Sequence, residues 1–283
     1  MITLKQALEP PKDLARTDRR QTRSVGTNAN HYLASVILAL LALMVWQAVA
    51  FFSSIQDWLL PTPTEVLETL VHDLNLISRH AWVTAKEALI GFGIALLVGF
   101  GIAVAIAHSS ILERALYPYV IASQAIPIIA IAPVLVVWFG FGLVPKVIVI
   151  VLITFFPIAI NTIDGLRRVD PEMLTLLHTM GASPWQIFRL VRLPSALPLF
   201  FTGAKMAAAV AIIGAILGEW VGAAEGLGFL ITRSSAQFLT ARVFASIAVL
   251  CVMGIVLFYS VSRVERWAVP WAHRAEQLHA PDM

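Results

Sequence analysis

Charged residues are scarce in this chain. Of its 283 residues, 20 are Lys or Arg, 17 are Asp or Glu, and 59% are apolar. The charged fraction of 13% is about half that of an ordinary soluble domain, so the composition argues against a soluble enzyme. The abundance of apolar residues also excludes a disordered chain, because disordered chains are poor in apolar residues and rich in charge.

Cysteine is nearly absent as well. Cys251 is the single cysteine, which excludes a disulfide framework and any metal site built from several cysteines. We interpret Cys251 as a small apolar residue buried in a span. The His residues lie scattered without metal-ligand spacing, so no metal site is expected. A net charge of only +3 gives no strong case for a nucleic-acid partner.

Long apolar runs fill the sequence between the charges. A helix needs about 20 apolar residues to cross the hydrocarbon core of a bilayer. The runs are Tyr32–Phe52, Ala88–Ala107, Leu116–Ile163, Ser195–Trp220 and Val243–Val261. The third is long enough for two crossings, and Gly and Pro residues within 140–146 place the break there, with Lys146 as a polar anchor. The sequence therefore predicts an all-α integral membrane protein with six transmembrane helices.

The distribution of Lys and Arg predicts the orientation. With the N-terminus in the cytoplasm, 14 basic residues fall inside and five outside, so both termini are predicted to be cytoplasmic. Residues 1–30 are predicted to be a flexible basic cytoplasmic tail, and 31–60 the first span with the start of an outer loop. Residues 61–267 then form the main transmembrane domain, and 268–283 a cytoplasmic tail. No signal-peptide cleavage site follows the first apolar run, so that span is predicted to be retained.

The predicted outer loop, Ser53–Ala85, contains a helix start at residues 62–65. Thr62 can cap, Pro63 suits the first helical position, and Glu65 completes a capping box. Five apolar residues then fall on one predicted face: Val66, Leu67, Leu70, Val71 and Leu74. A helix on the membrane surface or packed on the bundle is the simple interpretation, and docking of an external partner is the alternative.

A second long loop, Asp164–Pro194, is predicted to lie inside and to form two short helices. Asp170 caps the first helix and Glu172 lies at the positive end of its dipole. Leu174, Leu177 and Met180 form an apolar stripe at helical spacing, and Gly181 occupies a position that favours left-handed backbone. Ser183 opens the second helix with another capping box.

Three interpretations of this loop remain open. It resembles a DNA-binding helix–turn–helix, but both of its ends are tethered to the bilayer. It can be a purely structural connection. It can also be a docking element, since an amphipathic helix can lie in a groove of a soluble partner and transmit movement to the adjoining spans.

Residues 181–194, GASPWQIFRLVRLP, resemble the conserved cytoplasmic loop of bacterial ABC importer permeases. That loop has the pattern Glu-Ala-Ala, three residues, Gly, nine residues and Ile-x-Leu-Pro. Gly181 and residues 193–194 match at the right spacing. Residues 175–177 hold Thr, Leu and Leu in the Glu-Ala-Ala positions, and Val191 stands in the Ile position.

Two further stretches resemble the nitrate, sulfonate and taurine type of these permeases. Residues 127–142 include Pro-Ile-Ile-Ala-Ile-Ala-Pro followed by Trp-Phe-Gly-Phe-Gly, which is similar to the third span of that group. Residues 218–228 include Gly-Glu-Trp-Val-Gly-Ala and Gly-Leu-Gly, which look most like permeases for aromatic vitamin precursors.

The resemblance implies a type I ABC importer transmembrane domain, with residues 61–267 as that domain and a cytoplasmic coupling helix. It implies a bacterial inner-membrane location, two ABC ATPase subunits and an extracytoplasmic solute-binding protein. It also implies a second permease, expected to be another copy of this chain in a homodimer, with a related permease as the alternative. The sequence has no Gly-x-x-x-x-Gly-Lys-Ser/Thr loop, so ATP and Mg²⁺ are expected to act in the partner ATPase; this chain would be neither an enzyme nor the holder of a cofactor. The implied ATPase-docking residues are Asp170, Glu172, Leu174, Leu177, Met180, Gly181, Ala182, Ser183, Leu193 and Pro194.

Polar groups at membrane depth are costly and usually face the bundle interior. On this ground the predicted translocation pathway comprises Gln124, Pro127, Asn161, Glu219 and Trp220. Hydrogen bonding between helices is the alternative role for Gln124, and interfacial anchoring is the alternative for Trp220. Orienting the cytoplasmic loop, together with Asp164, is the alternative for Asn161.

Other polar and small residues in the spans receive structural interpretations. Lys205 is predicted to snorkel to the inner interface. Gly91, Gly93, Gly99 and Gly101 are predicted to let helices approach closely.

The sequence is interpreted as a subunit of an ATP-driven importer, and two other functions are the alternatives. A self-contained secondary transporter would show inverted repeats and titratable residues at the midplane. An intramembrane enzyme would show a nucleophile or a metal constellation, and neither pattern is visible in the sequence. The expected solute is a thiamine pyrimidine precursor or riboflavin-like molecule, with sulfonate, taurine and nitrate next.

Overall fold

The computed structural model describes residues 28–52, 56 and 59–271, with side chains from residue 33 onward. The predicted tails, residues 1–30 and 268–283, lie largely outside these ranges. All regular structure within the described ranges is helical. In chain order the helices are α1 (Asn28–Phe52), α2 (Pro63–His72), α3 (Leu74–His108), α4 (Ser110–Ala122), α5 (Ile128–Phe139), α6 (Leu143–Arg167), α7 (Pro171–Thr179), α8 (Pro184–Ile187), α9 (Leu193–Trp220), α10 (Leu227–Ala236) and α11 (Thr240–Ala268).

Five helices in the described ranges are long and apolar enough to cross a membrane. They are Leu33–Phe52, Leu74–His108, Leu143–Arg167, Pro184–Trp220 and Thr240–Ala268. The first belongs to a unit of its own, and the others lie in the second unit. The second begins well before the predicted start at Ala88, because α3 follows α2 directly at Asp73. The predicted outer loop is therefore shorter than expected.

The predicted third crossing is not one straight helix. Residues 110–125 and 128–139 meet at an angle of 102°. Ile126 is extended, as expected for a residue before proline, and Pro127 offers no N–H to continue the hydrogen-bond ladder. Hydropathy alone gave no sign of this bend, because the residues on both sides are apolar.

The predicted break between the third and fourth crossings is confirmed, with one correction. Helix α5 ends at Phe139, and Gly140 and Gly142 have φ values of 75° and 150° that favour glycine. Helix α6 then begins at Leu143, so Lys146 lies inside it. Lys146 is only 8% exposed and is not a polar anchor at the membrane surface.

Small residues bring α6 and α9 together. A Cβ added at Gly203 would overlap the carbonyl oxygen of Pro157, and one at Gly165 would lie 2.8 Å from the Cα of Ala196. At Gly214 an added Cβ would lie 3.1 Å from the Cα of Ile150. The two backbones therefore approach closely along most of their length, which is how helices pack where lipid removes the hydrophobic driving force.

The glycines of α3 divide into two pairs. A Cβ at Gly91 would lie 2.5 Å from Ile150, and one at Gly99 would lie 2.9 Å from Ile158, which confirms close packing on α6. At Gly93 and Gly101 nothing in the described part of the chain lies within 4 Å. Within the part of the chain that the structure describes, the predicted packing role is wrong for these two.

Helix α2 begins as predicted. The Thr62 hydroxyl accepts from the Glu65 N–H at 3.3 Å, and the Glu65 carboxylate accepts from the Thr62 N–H at 3.0 Å. The predicted single apolar face is wrong, since Val66 is buried while Leu67 and Val71 are 63% and 71% exposed. The predicted fifth member of that face, Leu74, begins α3 instead.

Asp73, between α2 and α3, ties this corner to α11. Its carboxylate accepts from the Arg242 guanidinium at 2.7 Å. Burial acts to raise the pKa of Asp73, but hydrogen bonds and charge from Arg242 and His72 outweigh that effect and hold the pKa below its usual value. The carboxylate therefore stabilises the fold at pH values above about 4, and this contribution is lost as the pH falls through the lowered pKa.

We expect Asp73→Asn to lower the melting temperature at neutral pH. The free energy of unfolding should fall by no more than about 1 kcal/mol, because the Asp73–Arg242 pair is partly exposed. The gap from the unmodified chain should close as the pH falls below about 4. Thermal unfolding of the purified protein across this pH range measures the gap. Glu68→Gln, on the exposed side of α2, is the matched control; a gap independent of pH would contradict the assigned role of Asp73.

Candidate functional site

The loop between α6 and α9 has a defined, compact geometry. The Asp170 carboxylate accepts from the Glu172 N–H at 2.8 Å, which confirms the predicted cap of α7. At the other end Gly181 has φ +81°, and its N–H donates to the His178 carbonyl at 3.0 Å. The N–H of Ala182 donates to the Leu177 carbonyl at the same distance. The predicted left-handed glycine is thus present and turns the chain at once.

The predicted second short helix is the beginning of the following span. Ser183 forms the expected capping box with Gln186. The helix from Pro184 then continues to Trp220 without a break. Residues 188–192 are a π-helical segment. Pro194 has no N–H to donate to the carbonyl four residues earlier, and the proline ring crowds that carbonyl. A wider helical turn accommodates the proline.

The apolar face of α7 differs from the predicted stripe. Leu174 and Leu177 are half-buried, so only Met180 of that stripe is exposed, at 74%. Met173 and Leu176 are also exposed, at 52% and 59%. Met173, Leu176 and Met180 share one helical face at i, i+3 and i+7 spacing. An exposed apolar face at the tip of a loop typically marks an interaction site.

The base of this loop is fastened to the bundle on both sides. Arg167 at the end of α6 pairs with Glu113 of α4 at 2.5 Å. On the other side Phe188 is 9% exposed and belongs to a core cluster with Ile163 and Ala196. The base of the loop is therefore a packed connection to α6 and α9 rather than a flexible linker.

Buried polar side chains meet at the opposite end of the bundle. Glu219, 2% exposed, accepts from the Thr84 hydroxyl at 2.6 Å and from the Gly228 N–H at 2.5 Å. The Thr84 oxygen also accepts from the Leu227 N–H at 2.8 Å, and His80 Nδ1 accepts from the Gly226 N–H at 3.0 Å. Three successive backbone donors thus hold residues 226–228 against α3 and α9.

An ion pair lies beside this network. The Lys146 ammonium of α6 donates to the Glu87 carboxylate of α3 at 2.6 Å, and both side chains are at least nine-tenths buried. Arg79 and Glu225, which are more exposed, also pair, at 2.7 Å. The hydrogen bond and the positive charge of Arg79 hold the pKa of Glu225 below its usual range. Glu87 was not among the predicted site residues, because its partner lies 59 positions away and no local pattern marks it.

Comparison with known proteins decides the family. Residues 97–272 match the model of the binding-protein-dependent transport system inner membrane component. The chain belongs to this family. It is a permease subunit of the ABC transporter type rather than an enzyme, and it resides in the inner membrane.

Two curated relatives illustrate the similarity. The formylaminopyrimidine transport permease protein ThiX of Halalkalibacterium halodurans is 38% identical over 84% of this chain and 96% of the relative. The riboflavin transport system permease protein RibX of Chloroflexus aurantiacus is 39% identical over 83% of this chain and 88% of the relative. Both fall in the group that the sequence resembled.

A solved structure shares the fold of this permease. A chain of the inward-facing MetNI methionine ABC transporter aligns with a TM-score of 0.61 and 22% identity, covering 69% of this chain and 97% of that chain. The all-helical arrangement of a type I importer permease is therefore shown. At this identity the likeness concerns the fold alone.

The predicted pathway residues of the permease do not form one cluster. Gln124 and Pro127 lie exposed at the bend between α4 and α5. Asn161 is half-buried and donates to the carbonyl of Pro157 in its own helix at 2.7 Å. Trp220 is 54% exposed, whereas Glu219 beside it is buried in the polar network. A lining role for these residues stays a prediction.

One other prediction for the permease spans is wrong, and one stays a prediction. Lys205 pairs with Glu265 of α11 at 2.8 Å, a partner that the sequence did not reveal, and snorkelling to the inner interface stays a prediction. Cys251 is exposed rather than buried and lines an open apolar groove between α9 and α11. The partner of Lys205 and the exposure of Cys251 were hidden because the sequence does not show which face of a span meets its neighbour.

Proposed function

We propose that this chain forms the membrane pathway of an ATP-driven importer and that its loop 170–183 docks on a separate ATPase subunit. The observation that carries the proposal is the rigidly based loop whose tip exposes Met173, Leu176 and Met180. An exposed apolar face on a short helix suits insertion into a groove of a soluble partner. Membership of the permease family supports the same conclusion.

The proposed topology has six spans with both termini in the cytoplasm. The bent pair α4 and α5 counts as one crossing, since its ends contact opposite ends of α6. Glu113 near the start of α4 pairs with Arg167, while Leu135 near the end of α5 packs with Val149. Helix α6 has 25 residues, or about 37 Å, which is enough to span the hydrocarbon core.

The proposed assembly contains two permease copies, two ATPase subunits and an extracytoplasmic binding protein. ATP with Mg²⁺ would bind in the ATPase subunits, whose closure carries α7 along. Because the loop is compact and its base is packed on α4 and α9, that movement tips α6 and α9 between inward- and outward-open states. ATP and the loaded binding protein supply the differential binding energy that such a shift requires.

The proposed solute is a small polar molecule, with a pyrimidine vitamin precursor or a flavin favoured. ThiX and RibX, whose names refer to formylaminopyrimidine and riboflavin, support this order. Sulfonates and taurine follow, since permeases named for them are 27% and 30% identical to this chain. Binding measurements on the partner binding protein with this panel of solutes would identify the substrate.

The docking proposal predicts the result of a charge insertion. Met173→Asp combined with Leu176→Asp places two carboxylates on the exposed face of α7 without touching the core. We expect the ATPase subunit to be lost from the purified complex while the permease retains its yield and melting temperature. Leu67→Asp with Val71→Asp, equally exposed on α2 at the opposite end, is the matched control and should retain the ATPase. Full retention of the ATPase by the α7 variant would reject the docking site.

A further inference from the structure

Three buried ionisable side chains from three different helices meet beside residues 226–228. Glu87 of α3, Lys146 of α6 and Glu219 of α9 are 4%, 8% and 2% exposed. The group therefore contains two carboxyls and one ammonium. Burying charge is costly unless it is paired, so one carboxyl lacks a counter-ion within this group.

The hydrogen bonds of the group leave one atom unsatisfied. Lys146 donates to Oε1 of Glu87. Both oxygens of Glu219 already accept, one from Thr84 and one from Gly228. Oε2 of Glu87 is buried and has no donor within the described part of the chain. An ionised carboxylate left in this state would bear the full cost of a buried, unpaired acceptor.

A second buried carboxyl, that of Glu219, lies beside Glu87. Glu219 accepts from Thr84, which lies one helical turn before Glu87 on α3, so the two carboxyls are neighbours. Two ionised carboxylates are both acceptors and repel, so they cannot satisfy one another. A single proton between them supplies the missing donor, removes the repulsion and makes the group neutral in combination with Lys146.

We propose that Glu87 and Glu219 form a proton-binding site and share one proton in the structure seen here. The proton belongs to the pair rather than to either residue, as in other interacting carboxyls. Besides Lys146, the charged groups that act on Glu87 and on the nearby His80 are Lys86, Arg79, Glu225 and Arg233. At the same end, Asp73 forms its own contacts with His72 and Arg242. Arg79 and Glu225 pair with each other, and His80 Nδ1 accepts from Gly226.

The proton site has a consequence for residues 226–228. Glu219 is one of the three side chains that hold this segment on the bundle, through the N–H of Gly228. Lifting the segment away would admit water to both carboxyls and release the proton. This step rests on the proposed function, in which residues 226–228 close the outer end of the pathway and are here called the outer gate. The closed gate then binds one proton more than the open gate. Acid should therefore favour the closed state and alkali the open state.

Infrared spectroscopy of the purified permease–ATPase complex tests the proton directly. At neutral pH we expect the carbonyl stretching band of a protonated carboxylic acid, and its loss in both Glu219→Gln and Glu87→Gln. Glu225→Gln is the control, since the Glu225 carboxylate is paired with Arg79 and should contribute no such band. A spectrum in which neither substitution removes a protonated-acid band would overturn the proposal.

Thermal unfolding gives a second readout that does not depend on transport. A glutamine at position 219 can donate to Glu87 as the protonated acid does, so its melting temperature should match the unmodified chain in mildly acidic buffer. In alkaline buffer the unmodified chain should become less stable than Glu219→Gln, because only the former loses a proton. Equal pH dependence of the two chains would count against the site. A protonated-acid band in a complex that fails to import solute would reject the proposed function alone.

Discussion

Gly181→Val is expected to reduce ATP-driven uptake at least tenfold. Gly181 has φ +81°, a conformation that a β-branched residue adopts only with strain of about 2 kcal/mol. Within the described ranges no atom lies within 4 Å of an added Cβ, so backbone strain and not a clash is the cause. Relief of that strain would open the turn between Met180 and Ser183 and displace the exposed face of α7 from its proposed partner.

Gly181→Asn is the matched control for this turn. Asparagine tolerates left-handed backbone better than other residues with a side chain, so most uptake should remain. Uptake by reconstituted vesicles and recovery of the ATPase with the purified permease are the two measurements. Normal values of both in Gly181→Val would show that the turn geometry is not needed for coupling.

Gly203→Val is expected to remove most folded permease from the membrane. An added Cβ would overlap the carbonyl oxygen of Pro157 and lie 3.0 Å from the Cβ of Asn161. Backbone atoms cannot yield as a flexible side chain can, so α6 and α9 must separate. Overpacking costs on the order of 3 kcal/mol, and separation also loosens the contacts at Gly165 and Gly214 along the same seam.

Gly101→Val tests whether this effect belongs to the seam. Gly101 is also a helical span glycine, but no atom of the residues that the structure describes lies within 4 Å of its added Cβ. Its variant should keep the yield and the melting temperature of the unmodified permease. Similar losses in both variants would show that any valine is harmful at span glycines and that the α6–α9 approach is not special.

Local signals in the sequence predicted the helix termini well. Thr62, Asp170 and Ser183 cap helices as expected, and Gly181 takes its left-handed turn. These features depend on residues within one turn of each other, so the chain encodes them locally. The Gly-containing break before α6 was predictable for the same reason.

The relations between helices were not predictable in this way. Glu87 meets Lys146, and Lys205 meets Glu265, across long separations in the chain. A single charged residue in an apolar run looks the same whether it faces lipid, an interface or a partner of opposite charge. The bend at Pro127 was similarly hidden, since both halves are apolar and only the orientation of the helices reveals it.

Transport by this permease is proposed to require a separate ATPase that acts on the cytoplasmic loop. Solute uptake into proteoliposomes measures this most directly, with the permease, its ATPase and its binding protein reconstituted together. We predict uptake that requires ATP and the ATPase and that is lost in the variant carrying Met173→Asp and Leu176→Asp. Uptake by this chain alone, driven by an ion gradient without ATP, would contradict the proposal and indicate a self-contained secondary transporter.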